Sequence, residues 1–167
     1  MTSRVIVLDR TIYAGLDRVW QVLTGIDRAE EVLRSVHHVE PLTEGPYGVG
    51  TTWREQRTFL GHHGREVLKV VQCDPPHHTM VEAQMGHDRV TTSYALTPHE
   101  HTTRVSLTMS ADLSGRTPFG RVAWNTWGEF GYEKTRKLLR HDLDDIASAA
   151  EAAEQAANPS GWSPQDA

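Results

Sequence analysis

The chain has 167 residues, 38% of them hydrophobic and 23% charged, which suits one domain with a sizeable core. A formal charge of −5 argues against a nucleic-acid partner, which needs a basic surface, and the single Cys73 excludes an intrachain disulfide. No apolar run approaches the ~20 residues a membrane-spanning helix needs, and MTSRVIVLDR lacks a secretory signal's apolar segment, so the expected location is cytoplasmic.

Segment 4–12 alternates as a first strand. Val19, Trp20, Val22 and Leu23 then fall at helical spacing, predicting a short helix over 16–24 that Gly25 ends. Asp27 stands where an N-cap would, ahead of acids in a first turn, and predicts a second short helix over 27–34. Segment 36–42 is the next strand, EGPYGVG a loop, and 51–59 a strand joined by LGHHG to 64–73. Asp74-Pro75-Pro76 breaks the chain before strands 78–86 and 89–97, with a hairpin signal at Gly86-His87-Asp88. After a turn at 97–100, Val105, Leu107, Met109 and Ala111 share one face of the strand 102–113.

Thr117-Pro118 starts a helix that nothing stops before about residue 155, although Gly120, Gly128 and Gly131 weaken it. It carries Phe119, Trp124, Trp127 and Phe130 early, then Leu138, Leu139, Leu143 and Ile146. The expected organisation is a single domain over 1–156 followed by a disordered polar tail over 157–167. The pattern is α+β: a curved antiparallel sheet of about seven strands, two short helices between the first and second, and one long C-terminal helix to cover the concave face.

This order, together with DRVWQVLTGIDR, GVGTTWREQRTFLG, DPPHHTMVEAQ and TSYALTPHEHTTRVSLTM, resembles the START-like, or SRPBCC, superfamily and its helix-grip fold. The group it looks most like is the bacterial proteins labelled polyketide cyclase/dehydrase or CoxG-like. The resemblance covers roughly residues 4–150. It implies a cavity between sheet and helix for a small hydrophobic or amphipathic molecule, with EGPYGVG at its mouth. It does not imply one activity, because the superfamily includes carriers, receptors, cyclases and chaperone regulators.

A cavity would explain an oddity in GTTWREQRTF. Trp53, Glu55, Arg57 and Phe59 share one face of that strand, so an inward aromatic pair takes a carboxylate and a guanidinium with it. In an apolar core such charges are costly unless paired; in a ligand cavity they meet water, each other or a polar ligand group. The alternative is an exposed cross-strand ion pair.

The same alternation turns Glu66, Leu68 and Val70 inward, then Met80, Glu82 and Gln84, then Thr92, Tyr94 and Leu96. On 78–86, however, Val81, Ala83 and Met85 make an equally good apolar face. The candidate ligand-binding set is Trp53, Glu55, Arg57, Phe59, Glu66, Leu68, Glu82, Gln84, Thr92, Tyr94, Met109, Trp124 and Trp127. The favoured reading is non-catalytic binding. A cyclase or dehydratase using Glu55, Glu82 or Tyr94 as acid/base, with Arg57 polarising a carbonyl, is the second. An interaction module without a buried ligand is the third.

The remaining chemistry-bearing residues predict no cofactor and no metal. The ten histidines come largely in adjacent pairs whose members point to opposite strand faces, and neither HExxH nor a Cys/His zinc spacing occurs. Asp74 beside Cys73 raises rather than lowers a thiol pKa. The aromatic stripe of the last helix reads as core with partial cavity lining. An exposed Trp20 or an edge strand would support a homodimer.

Overall fold

In chain order the elements are β1 (Ser3–Ile12), α1 (Leu16–Thr24), a 3₁₀ turn (Ile26–Arg28), α2 (Ala29–Val32), β2 (Val36–Pro41), β3 (Thr52–Phe59), β4 (His62–Asp74), β5 (His78–Met85), β6 (Asp88–His99), β7 (Thr102–Asp112) and α3 (Pro118–Ala157). The computed structural model describes residues 3–59, 62–85, 88–112 and 118–159, with the side chains of 5–58, 64–84, 89–111 and 131–159. The expected tail falls, from residue 160, outside the described residues. The predicted second helix shrinks to the 3₁₀ turn plus one turn of α2, and Asp27 lies inside that turn rather than capping a helix. So short a segment gains too few hydrogen bonds to offset helix nucleation by itself.

The seven strands form one antiparallel sheet in the order β1-β7-β6-β5-β4-β3-β2. Strands β2 to β6 are each paired with the next in sequence, and β1 lies against β7, as the helix-grip expectation requires. Partners directly opposite on neighbouring strands point to the same face. One inward row therefore runs Ile6, Met109, Thr92, Val81, Val70 across five strands. A parallel row runs Leu8, Leu107, Tyr94, Thr79.

The spacing of Leu139, Leu143, Ile146, Ala147 and Ala150 puts all five on one face of α3, where they are buried against Ile6, Leu8, Ile12, Val19, Val105 and Leu107. Fully burying a side chain of this size stabilises the fold by about 1.5–3 kcal/mol, so this cluster holds the helix to the sheet.

Carboxylates on α3 fasten the segment between β1 and β2. Helix α1 begins at Gly15 with no side-chain cap of its own. Glu151 accepts the Tyr13 N–H at 3.0 Å, and Glu154 accepts the Gly15 N–H at 3.3 Å. Beyond α2, Asp145 accepts both the backbone N–H of Arg34 and its Nε, at 3.0 and 2.8 Å. Among the described residues, no helix is long and apolar enough to cross a membrane.

Candidate functional site

On the inner face of β3, the indole Nε1–H of Trp53 donates to Glu55 Oε2 at 3.2 Å, and Arg57 Nε donates to Glu55 Oε1 at 2.5 Å. Arg57 Nη1 reaches across to α3 and donates to Asp142 Oδ2 at 3.0 Å. The other Asp142 oxygen accepts the Ser35 hydroxyl at 2.8 Å. Glu55 and Asp142 are 4% and 5% exposed, so the chain Trp53–Glu55–Arg57–Asp142–Ser35 joins sheet, long helix and the segment after α2 inside the molecule. Residue 55 faces inward, and its charge is met by two donors.

These groups edge a cavity of about 140 Å³. Val22, Leu23, Ile26 and Val32 close one side; Leu68, Val81, Ala83, Thr92 and Met109 form the sheet side; Leu139 and Ile146 come from α3. The loop between β2 and β3 sends in Tyr47, whose hydroxyl donates to Thr79 Oγ1 at 2.8 Å, while Thr79 donates to the Gln72 carbonyl at 3.3 Å. Glycine lets this loop return to the sheet: Gly50 adopts φ +94°, open to few other residues, and its N–H meets the Val70 carbonyl at 2.9 Å. Trp20 stands edge-on to Tyr47, ring centroids 6.2 Å apart, and is half-buried rather than exposed.

Electrostatics divides the wall into satisfied and unsatisfied groups. Burial works against the Arg57 charge, but Glu55 and Asp142 outweigh it and raise the guanidinium pKa. Burial pushes the Asp142 carboxyl up, and Arg57 and Ser35 hold that rise in check. Glu66, directly opposite Glu55 on β4, is pushed up by burial with Glu55 adding repulsion, against the pull of Arg57. Glu66 has no hydrogen-bond partner among the described residues, and neither does the Tyr94 hydroxyl. Burial raises the Tyr94 phenol and pushes that of Tyr47 up to about 12, so both are neutral hydrogen-bonding groups at pH 7.

Of the residues singled out from sequence, Trp53, Glu55, Arg57, Glu66, Leu68, Thr92, Tyr94 and Met109 line this cavity. Glu82 and Gln84 do not; Val81 and Ala83 take the inner face of β5 instead. A bulge in β4 is the reason. Counting back from Cys73 opposite Thr79 without interruption would set Val70 opposite Glu82 and turn Glu82 inward. The extra residue between Val70 and Gln72 moves Val70 opposite Val81 and Glu82 opposite Lys69, reversing the strand's face. Glu82 instead lies 3.6 Å from Arg89 on the outer side. Met80, expected inward with them, is displaced likewise by Thr79, which is 1% exposed.

The side chains of Phe59, Phe119, Trp124, Trp127 and Phe130 lie outside the described residues. Among the described residues, an added Cβ at Gly131 would meet nothing within 4 Å. Among the described residues no three His, Cys, Asp or Glu side chains gather as a metal site. Several histidines make polar contacts instead: His37 with Thr58 at 2.6 Å, His38 with Glu30 at 3.0 Å, His78 with Ser93 at 3.0 Å. Burial, and then Asp74, raises the Cys73 thiol.

Asp142 and Tyr47 are lining residues that sequence reasoning missed, Asp142 the more telling. Its signal was present: it sits three residues after Leu139 and four before Ile146, a carboxylate on an otherwise apolar helix face.

A curved antiparallel sheet gripping a C-terminal helix, with this cavity between them, defines a helix-grip, START-like protein. Within that class the chain belongs to the family described as polyketide cyclase / dehydrase and lipid transport, whose model matches residues 4–151. Solved structures agree on the fold. TTHA0849 from Thermus thermophilus has 18% identity and a TM-score of 0.75, over 90% of this chain and 99% of that one. The Zhui aromatase/cyclase from Streptomyces sp. R1128 has 15% identity and a TM-score of 0.70, over 96% and 100%. A norcoclaurine synthase point mutant from Thalictrum flavum, in complex with a transition-state analogue, has 15% identity and a TM-score of 0.67, over 91% and 96%. At these identities the likeness is one of fold. A search of curated protein sequences found no match.

Proposed function

We propose that the protein binds a small amphipathic molecule in the cavity between sheet and α3, without transforming it. One observation carries this reading: a partly open, mainly apolar space into which Glu66 and the Tyr94 hydroxyl present hydrogen-bonding capacity that no described residue meets. Water can meet these groups, and a ligand with an apolar body and a polar end displaces it from the apolar wall while keeping their hydrogen bonds. The size supports a small occupant, because about 140 Å³ is below the roughly 300–1,000 Å³ typical of drug-sized ligands. An open interior also weighs against the interaction-module reading, which calls for a solid core.

Native mass spectrometry of the protein from its own host tests this directly. The expected result is a retained molecule in the parent protein and none in Ala83→Phe, which fills the cavity from β5. A parent protein without adduct, whose melting temperature no small amphipathic compound raises, would overturn the proposal.

A cyclase or dehydratase is the second reading, and it draws on the raised Glu66 pKa near Arg57, in a cavity that Tyr94 also lines. Glu66 then stands where Glu82 was expected to act, as a carboxyl able to exchange a proton nearer neutrality. The satisfied Glu55 serves to orient Arg57. Turnover of a retained molecule by the parent protein, abolished in Glu66→Gln, would favour catalysis over carriage.

A further inference from the structure

The charges around the same cavity say what kind of molecule it accepts, an inference that rests on the binding reading above. Glu55, Glu66 and Asp142 line the space, and Arg57 is the one cation among the described lining residues. Arg57 is already committed at Nε to Glu55 and at Nη1 to Asp142. Trp53 and Ser35 supply further donors to those two carboxylates, which leaves Glu66 as the acid without a partner among the described residues. Three aromatic rings, Tyr47, Trp53 and Tyr94, border the same space. Their faces carry negative electrostatic potential and attract a desolvated cation. An incoming carboxylate would meet this excess of acids beside an Arg57 whose charge two of them already balance. An ammonium would give Glu66 a charged partner in a space that aromatic rings also border.

We propose that the cavity selects a small aromatic or amphipathic molecule bearing a protonated amine, and discriminates against carboxylates of the same size. Glu66 receives the ammonium, and the rings of Tyr47, Trp53 and Tyr94 surround the adjoining apolar part. The small volume points to a one-ring scaffold rather than a long acyl chain.

Three probes of matched shape separate the possibilities: 2-phenylethylamine, 2-phenylethanol and 3-phenylpropionate, titrated calorimetrically into the full chain at pH 7. The amine is expected to bind about tenfold or more tightly than the alcohol, the scale of one charge-assisted hydrogen bond, with the carboxylate weakest. In Glu66→Gln, checked for unchanged melting behaviour or better, the amine's advantage over the alcohol disappears. In Glu82→Gln, on the outer face of the same sheet, the order of the three probes persists. Alcohol bound as tightly as amine, or carboxylate tighter than either, overturns the charge preference while leaving cavity binding intact. No measurable amine binding also overturns it. In that case the native mass spectrum of the parent protein decides separately whether the cavity binds anything.

Discussion

The interior has two unlike halves built from the same sheet. Where β1 and β7 meet α1 and the inner face of α3, Ile12, Val19, Leu107 and Leu143 are at most 2% exposed and belong to one apolar cluster. Along β3 and β4 the same layer holds Glu55, Arg57 and Glu66 around open space, and α3 contributes Asp142 there in place of a hydrocarbon side chain. The first half can be explained by burial of apolar surface alone. The second keeps charges inside where an apolar filling of equal volume is often as stable or more so, and the binding proposal accounts for that.

Removing the one cation should have the largest effect. Arg57→Ala strands Glu55 and Asp142 in the interior, a loss on the order of 3–5 kcal/mol, or roughly 10 °C in melting temperature for a chain of this size. Adding Glu55→Gln and Asp142→Asn to the same chain should recover much of it, because the stranded charges are gone. Urea denaturation of the single and triple variants measures both. A triple variant no more stable than Arg57→Ala would show that Arg57 acts by packing and not by compensating charge.

In the apolar half, Leu107→Ala should cost about 2–5 kcal/mol through lost burial and a residual void. Leu107 does not itself line the cavity and reaches it only through Tyr94, its cross-strand neighbour, so the affinity for any bound molecule should fall far less than stability does below the unfolding transition. Affinity falling in step with stability would mean that the two halves are one cooperative object.

Glu154→Ala probes the link between them at smaller cost. It removes the acceptor for the Gly15 N–H at the uncapped start of α1, an effect near 1 kcal/mol by analogy with lost N-caps. Faster amide exchange confined to α1 is the expected readout. Because α1 supplies Val22 and Leu23 to the cavity wall, ligand dissociation should quicken as well.

How far each half was legible follows from the same physics. Alternation in 102–113 and the stripe Leu139, Leu143, Ile146 announce a packed core, because solid packing needs only hydrophobic residues at the right period. The inward Glu55 and Arg57 could be read as well, since Trp53 on the same face pulls them in. Glu82 went astray because one extra residue between Val70 and Gln72 reverses β5, and nothing local to HTMVEAQM reports a bulge in the strand beside it. Asp142 escaped notice because its partner Arg57 is 85 residues away in the chain. Long-range pairing is invisible to periodicity even when the misplaced carboxylate itself is not.

The smallest effect expected has the opposite sign. Burial raises the Glu66 carboxyl above its ordinary 4.5, so the folded protein holds that proton more tightly than the unfolded chain does. Stability from this group is therefore fully present below the unfolded value and is lost as pH rises through the raised folded one. At pH 7 Glu66→Gln should be the more stable protein, by less than about 1 kcal/mol because the group is partly open to screening solvent. Below the ordinary carboxylate range the two proteins should converge. Paired denaturation curves at neutral and acidic pH measure the difference. A gain in stability that comes with loss of ligand would mark Glu66 as a charge kept for binding at the fold's expense. A loss of stability at pH 7 would instead make Glu66 part of the structural ion network, and the polar half of the interior would then need no ligand to account for it.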